Sequence, residues 1–185
     1  MEEVKRLEEI TLPDNRNSYF KIINRETGHQ REYRLEDLYE EIKSLELHDA
    51  VPDDVRSQFN VARNLSLYTW FSYSFHSVSV FKAFSTLEMA LRIRLGESKK
   101  GTYLKALIKD AVKRGLIKDR YFSHIKENIV DPQSTSYVEG LEDALAGLRN
   151  IDAHGSTMLG PWSVINLRIC ADFINRLFGK NENSP

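Results

Sequence analysis

The sequence predicts an all-α fold: an antiparallel helical bundle with one very long helix and a small N-terminal hairpin. Three observations predict it. Apolar residues recur at three- and four-residue spacing through most of the chain after Leu35. No proline occurs between Pro52 and Pro132, so nothing of that kind interrupts a helix there. The one stretch of strand character, Tyr19-Phe20-Lys21-Ile22-Ile23, is short and runs into the turn residues Asn24 and Gly28 before Tyr33.

At 185 residues, 41% of them hydrophobic, the chain is long enough for one well-buried core and too short for two full domains. We divide it into an N-terminal extension, residues 1–50, and a helical domain, residues 51–185. The single cysteine, Cys170, excludes an intramolecular disulfide and any all-cysteine metal site, and its apolar helical surroundings make it a core residue. A reducing, cytoplasmic setting fits that usage. The charged start, Met1 to Arg6, leads into no apolar stretch, and no apolar run approaches membrane-spanning length, so no membrane association is expected.

Taken in order, Leu35, Leu38, Tyr39, Ile42 and Leu45 mark one face of a short first helix that stops before Pro52. Pro52-Asp53-Asp54 then starts the next helix, proline and acids both suiting a first turn. From Val55 to about Leu95 the apolar stripe continues through Phe59, Ala62, Leu65, Phe71, Phe75, Val78, Phe84, Leu87 and Leu91. Unbroken, that rod would be about 60 Å long. Its centre, Tyr68 to Phe75, is aromatic on several faces, so the rod either kinks or meets a partner. After Gly96 to Gly101, Leu104, Leu107, Ile108, Ala111 and Val112 form an amphipathic helix that Gly115 ends. Ile117 to Ser136 reads as a loop or a broken helix. One helix from about Tyr137 to Ile151 (Val138, Leu141, Leu145 and Leu148 inward) and a last one from near Pro161 (Val164, Leu167, Ala171, Ile174, Leu177) complete the set.

The net charge of -1 gives no global attraction for nucleic acid, but charge is unevenly placed. Residues 1–60 carry 9 Lys and Arg against 15 Asp and Glu, whereas residues 89–130 carry 11 against 4. That second stretch, including Arg92, Arg94, Lys99 and Lys100, is either a solvated helix face or a path for a polyanion.

The residues with most chemistry are Arg149 and His154, at the end of an apolar helical pattern. Arginine is always charged and grips phosphate through a two-pronged fork; histidine exchanges its proton near neutral pH. Together they suit phosphodiester chemistry. Five helical steps separate them by about 140° around the axis, so one continuous helix would not place both on one face. Either Gly155 ends the helix and frees the imidazole, or two copies of the segment meet across a symmetric dimer. The structural alternative pairs Arg149 with an acid and uses His154 as a helix cap. His29, His48, His76 and His124 lack metal-ligand spacing, and His76 reads as a satisfied core or interface residue, so neither a metal nor a cofactor is expected. Trp70, Phe71, Tyr73 and Phe75 could stack on bases, but at helical spacing they read as core or dimer interface.

The string Arg149-Asn150-x-x-Ala153-His154-Gly155 resembles the RNxxxH signature of HEPN domains (higher eukaryotes and prokaryotes nucleotide-binding). Upstream, Phe84-Ser85-Thr86-Leu87-Glu88-Met89-Ala90-Leu91-Arg92-Ile93-Arg94-Leu95 resembles the helix that precedes the signature in prokaryotic members. The likeness spans about Val51 to Phe178. It implies a homodimer in which Arg149 and His154 of both protomers face a common cleft, and metal-independent ribonuclease activity: ribose 2'-OH attack on the adjacent phosphate, giving 2',3'-cyclic phosphate and 5'-OH ends. His154 would then assist proton transfer and Arg149 stabilise the transition-state charge, with Asn150 and Glu88 in support. Partners so implied are RNA or a nucleotide and, for toxin members, an antitoxin protein; the implied settings are toxin–antitoxin systems and phage defence. The toxin branch paired with nucleotidyltransferases carries a tyrosine two residues after the histidine, where this chain has Ser156, so that branch is not assigned. Other members of the fold are non-catalytic interaction or nucleotide-binding modules.

Overall fold

The computed structural model describes residues 3–96, 103–128, 131–153 and 160–179. Among them are the helices α1 (Leu35–Lys43), α2 (Asp53–Tyr68), α3 (Phe75–Leu95), α4 (Leu104–Lys113), α5 (Ser136–Ala153) and α6 (Ser163–Phe178), with an antiparallel hairpin of β1 (Lys21–Ile23) and β2 (Gln30–Glu32) before them. The all-α bundle and its small hairpin are both present. Lys21 pairs with Glu32 and Ile23 with Gln30 in the hairpin register. Its loop closes because Asn24 Oδ1 accepts from the Glu26 and Thr27 N–H groups and Gly28 takes φ +69°, a left-handed conformation open to glycine at no steric cost.

The continuous rod expected from Val55 to Leu95 does not form. The chain reverses between Tyr68 and Phe75, and α2 runs back along α3: Ser79 Oγ donates to the Ala62 carbonyl at 2.9 Å, and Lys82 Nζ bonds Gln58 Oε1. Neither proline nor glycine makes this turn. Its residues, Thr69 to Ser74, are Thr, Ser and aromatics, which form helix weakly, and Thr69 Oγ1 bonds back to the Ser66 carbonyl at 2.7 Å. Several backbone N–H groups of the turn bond locally, among them Trp70 N to the Leu67 carbonyl and Phe71 N to the Tyr68 carbonyl, and two further groups are met from far upstream. The Trp70 carbonyl accepts from Asp14 N at 2.8 Å and from Asn17 Nδ2 at 2.7 Å, and Tyr73 N–H donates to Asp14 Oδ2 at 3.0 Å. The same Asp14 carboxylate takes Arg16 Nε and Nη2, each at 2.8 Å. These bonds hold it well below the usual carboxylate range, against the opposing effect of burial.

Helix α3 is the hub: it packs against α2, α4, α5 and α6. It is accordingly buried on more than one face, with Ala83, Phe84, Leu87, Ala90 and Leu91 all without solvent exposure. Gly96 ends it at φ +70° and Gly115, at φ +68°, follows the end of α4, the second as the sequence predicts. Ile117 to Ser136 contains two short 3-10 turns, Asp119–Tyr121 and Lys126–Asn128. Helix α6 fills the remaining side of the core with Leu167, Cys170, Phe173 and Ile174, so Cys170 is the core residue expected of it. Asn175 then ties α6 to the chain after α1: its Oδ1 accepts from His48 N and its Nδ2 donates to the Glu46 carbonyl, both at 2.9 Å. Among the described residues no helix is long and apolar enough to cross a membrane.

Asp14→Ala removes a charged acceptor from the reversal and leaves Tyr73 N–H and Arg16 without their partner. The expected loss is about 2 kcal/mol, read as a lower urea midpoint at unchanged slope. A midpoint equal to wild type would mean that the turn holds without this contact.

Candidate functional site

The helix that carries Arg149 and Asn150 is positioned at its start by a carboxylate from outside it. Asp119, 3% exposed, accepts from Tyr137 N and Val138 N at 3.1 Å each and from Ser134 Oγ at 2.5 Å. An anion at these free N–H groups is the favourable end of the helix dipole. Val138, Leu141 and Leu145 of α5 are buried, and the helix packs on α3 and α4. Arg149 and Asn150 fall in its last two turns. His154, Lys99 and Lys100 lie outside the described residues.

On the neighbouring α3, Glu88 and Arg92 face the same way, four residues apart. Arg92 Nη2 reaches Glu88 Oε1 at 2.9 Å and its Nε the same oxygen at 3.3 Å. Glu88 therefore has the arginine partner that its apolar neighbours demand, and the one seen is Arg92; both residues take part in further interactions. Arg94 is exposed near the C-terminal end of α3. Of the sequence-predicted set, the structure brings Glu88 and Arg92 together and leaves Arg94 at the surface. The other basic residues of this region are partly neutralised. Arg114 pairs with Asp110 at 2.6 Å and Lys105 with Asp143, while Lys109 and Lys113 are exposed. A cleft of about 300 Å³ between α2 and α3, lined by Gln58, Lys82, Ser85, Thr86 and Met89, lies beside Glu88 in sequence. Among the described residues no group of three or more His, Cys, Asp or Glu is placed to hold a metal ion.

A second polar cluster lies inside the bundle, joining three helices. Ser66 Oγ of α2 and Ser163 Oγ of α6 are 2.7 Å apart, and Ser163 Oγ is 2.7 Å from His76 Nδ1 of α3. Both serines are without solvent exposure. Proton counting sets the direction. If Ser66 donates to Ser163 and Ser163 to Nδ1, every hydroxyl proton has an acceptor and the imidazole proton sits on Nε2; the reverse leaves the Ser66 proton with none among the described residues. Burial pushes His76 down to about 4, with the Asp14 carboxylate pulling the other way and the Arg16 guanidinium adding to the fall. The imidazole is neutral at pH 7. A serine sealed from solvent cannot meet a substrate, so this triplet serves packing rather than nucleophilic chemistry, in line with the reading of His76 as a satisfied core residue.

What the sequence did not signal is a cleft of about 330 Å³ between the N-terminal segment and the bundle, with His76 in its wall beside Phe20, Tyr33, Glu41 and Trp70. These residues come from separate elements and share no spacing. The hairpin's short strands and the aromatic run were visible, but not their meeting.

No protein-family model matches the chain, and neither the curated proteins nor the solved structures include one similar to it.

The neutral His76 has a pH consequence. Its folded value lies below the unfolded one, so between about pH 6.5 and 4 the unfolded chain binds a proton that the folded chain refuses. Its stabilising contribution is complete above about pH 6.5 and is lost progressively as pH falls towards 4, about 3 kcal/mol in all. Urea midpoints measured between pH 6.5 and 5, before the carboxylates titrate, should fall for wild type and be flatter for His76→Gln. Parallel slopes would remove His76 as the responsible group.

Proposed function

We propose that this chain is a HEPN-like, homodimeric, metal-independent endoribonuclease, acting in the cytoplasm in a toxin or phage-defence role. The observation that carries the reading is the RNxxxH string, Arg149 to His154, whose Arg149 and Asn150 lie on a helix packed against the one that carries Glu88 and Arg92. In the proposed reaction the ribose 2'-OH attacks its own 3'-phosphate. His154 takes the hydroxyl proton or delivers one to the leaving 5'-oxygen, and Arg149 stabilises the charge that builds on the phosphoryl oxygens. Asn150 orients the phosphate or the imidazole. The Glu88–Arg92 pair stands next in sequence to the buried Leu87 and Leu91, on the helix that packs against α5. Under this reading Arg94, Lys99 and Lys100 are the basic residues that attract the RNA, which the chain needs because residues 131–160 hold 5 acids against Arg149 alone. An antitoxin protein is a further partner under this reading.

Dimerisation is supported by an apolar strip on the outer face of the α2–α3 pair. Val61 and Tyr68 of α2 and Phe75, Val78 and Phe81 of α3 are all exposed, on two helices that pack against each other. Large exposed apolar patches mark association sites. The same strip favours a second reading, a non-catalytic helical interaction or nucleotide-binding module of the same fold.

Labelled RNAs incubated in EDTA with wild type and with His154→Ala separate the two readings. Cyclic-phosphate ends produced by wild type and reduced by about a hundredfold or more in the variant are expected. Cleavage that survives the substitution, or none by wild type, leaves the module reading. Light scattering after size exclusion should give a dimer for wild type and a monomer for Val78→Arg, which puts a charge into the strip without touching the core; a monomeric wild type would overturn the dimer.

A further inference from the structure

We propose that the cleft between the N-terminal segment and the bundle is a binding site for an organic ammonium ion, a quaternary or protonated amine with an apolar body. The site is separate from α5 and does not depend on the ribonuclease reading.

Its walls are aromatic and come from distant parts of the chain: Phe20 at the entry to the hairpin, Tyr33 after it, and Trp70 in the α2–α3 turn. The Phe20 and Tyr33 ring centres are 6.4 Å apart with planes at 68°, and those of Tyr33 and Trp70 are also 6.4 Å apart, at 48°. Rings at such angles form a concave corner rather than a flat stack, and ring faces carry the negative end of the aromatic quadrupole.

Charge then selects the ligand. Two residues lining the cleft have chargeable side chains, one basic and one acidic: Lys21 and Glu41. Lys21 is engaged by Glu32 across the hairpin at 3.3 Å. Glu41 accepts from the Tyr33 hydroxyl at 3.2 Å and is paired with no cation among the described residues. His76 adds a neutral ring whose Nδ1 is occupied by Ser163. An anion would meet the Glu41 carboxylate with no unengaged cation to hold it. A hard metal ion needs several oxygen ligands, and the lining offers one carboxylate. An organic cation meets both the carboxylate and the ring faces, the arrangement that recognises alkylammonium groups. The volume, about 330 Å³, is at the small end of ligand pockets and suits a molecule of this kind.

Choline and its uncharged carbon isostere, 3,3-dimethylbutan-1-ol, share a shape and differ in charge, so they test the claim directly. Titration of the full chain is followed through the indole resonance of Trp70, assigned with Trp70→Phe. Saturable binding of choline is expected, with the alcohol about tenfold weaker. Glu41→Gln keeps the Tyr33 hydrogen bond and the thermal midpoint but should weaken choline by a similar factor; Tyr33→Leu, which removes a wall, should abolish the shift. Equal binding of the two probes, choline affinity unchanged in Glu41→Gln, or no shift with either probe would each overturn the assignment.

Discussion

The reversal of the chain between Tyr68 and Phe75 is the constraint on which the rest of the molecule depends. It converts one long apolar stripe into two antiparallel helices and puts α3 at the centre of the bundle, where α2, α4, α5 and α6 can all reach it. Within Thr69 to Ser74 the chain closes its own turn bonds, and hydrogen bonds from Asp14 and Asn17 complete the reversal at the Trp70 carbonyl and the Tyr73 N–H. The carboxylate at position 14 can serve there because Arg16 offsets its charge and stacks on Tyr73, its guanidinium carbon 4.7 Å from the ring centre. A segment that looks like an appendage in sequence is thus part of the machinery that shapes the core.

Around this turn the mostly apolar interior also holds Thr69 and Ser79, bonded to helix carbonyls, and a point where three helices exchange hydroxyl and imidazole bonds. Ser66, Ser163 and His76 stand on α2, α6 and α3, so a slip of any one helix along its axis would break a buried hydrogen bond, whereas packing alone would permit small slides. This is a reason for polar residues to sit in the middle of a helical core. The cleft beside His76 follows from the same placement, since the hairpin and α1 cover the α2–α3 turn without filling the space against the first turn of α6.

Much of this was legible in the sequence, and the division has physical causes. Helical spacing located α1, α4, α5 and α6 to within a few residues, because each buries one stripe and polar residues mark the other face. Gly115 and the Asn24–Gly28 hairpin loop were readable because backbone conformation restricts residue choice there. At Tyr68 to Phe75 the sequence left a kink or a partner open and did not single out a full reversal, since the bonds from Asp14 and Asn17 that complete it come from more than fifty residues away. Its local signs were the aromatic side chains on several faces and the weak helix formers from Thr69 to Ser74. The proposed site divides similarly: a string such as Arg149 to His154 can be seen in one dimension, as can the i, i+4 relation of Glu88 and Arg92, but the meeting of Tyr33, Glu41 and Trp70 has no period to betray it.

The bonds from Asn175 to Glu46 and His48 span 129 and 127 residues, and α6 supplies a large share of the cover for α3. A growing chain therefore exposes Phe84, Leu87 and Leu91 on the ribosome well before Phe173 and Ile174 exist to shelter them. The helices made first can form locally, but the bundle closes only when α6 arrives. Close to half of these 185 residues are added while α3 waits for α6, which makes the time between translating the two the period of greatest exposure to chaperones and to aggregation.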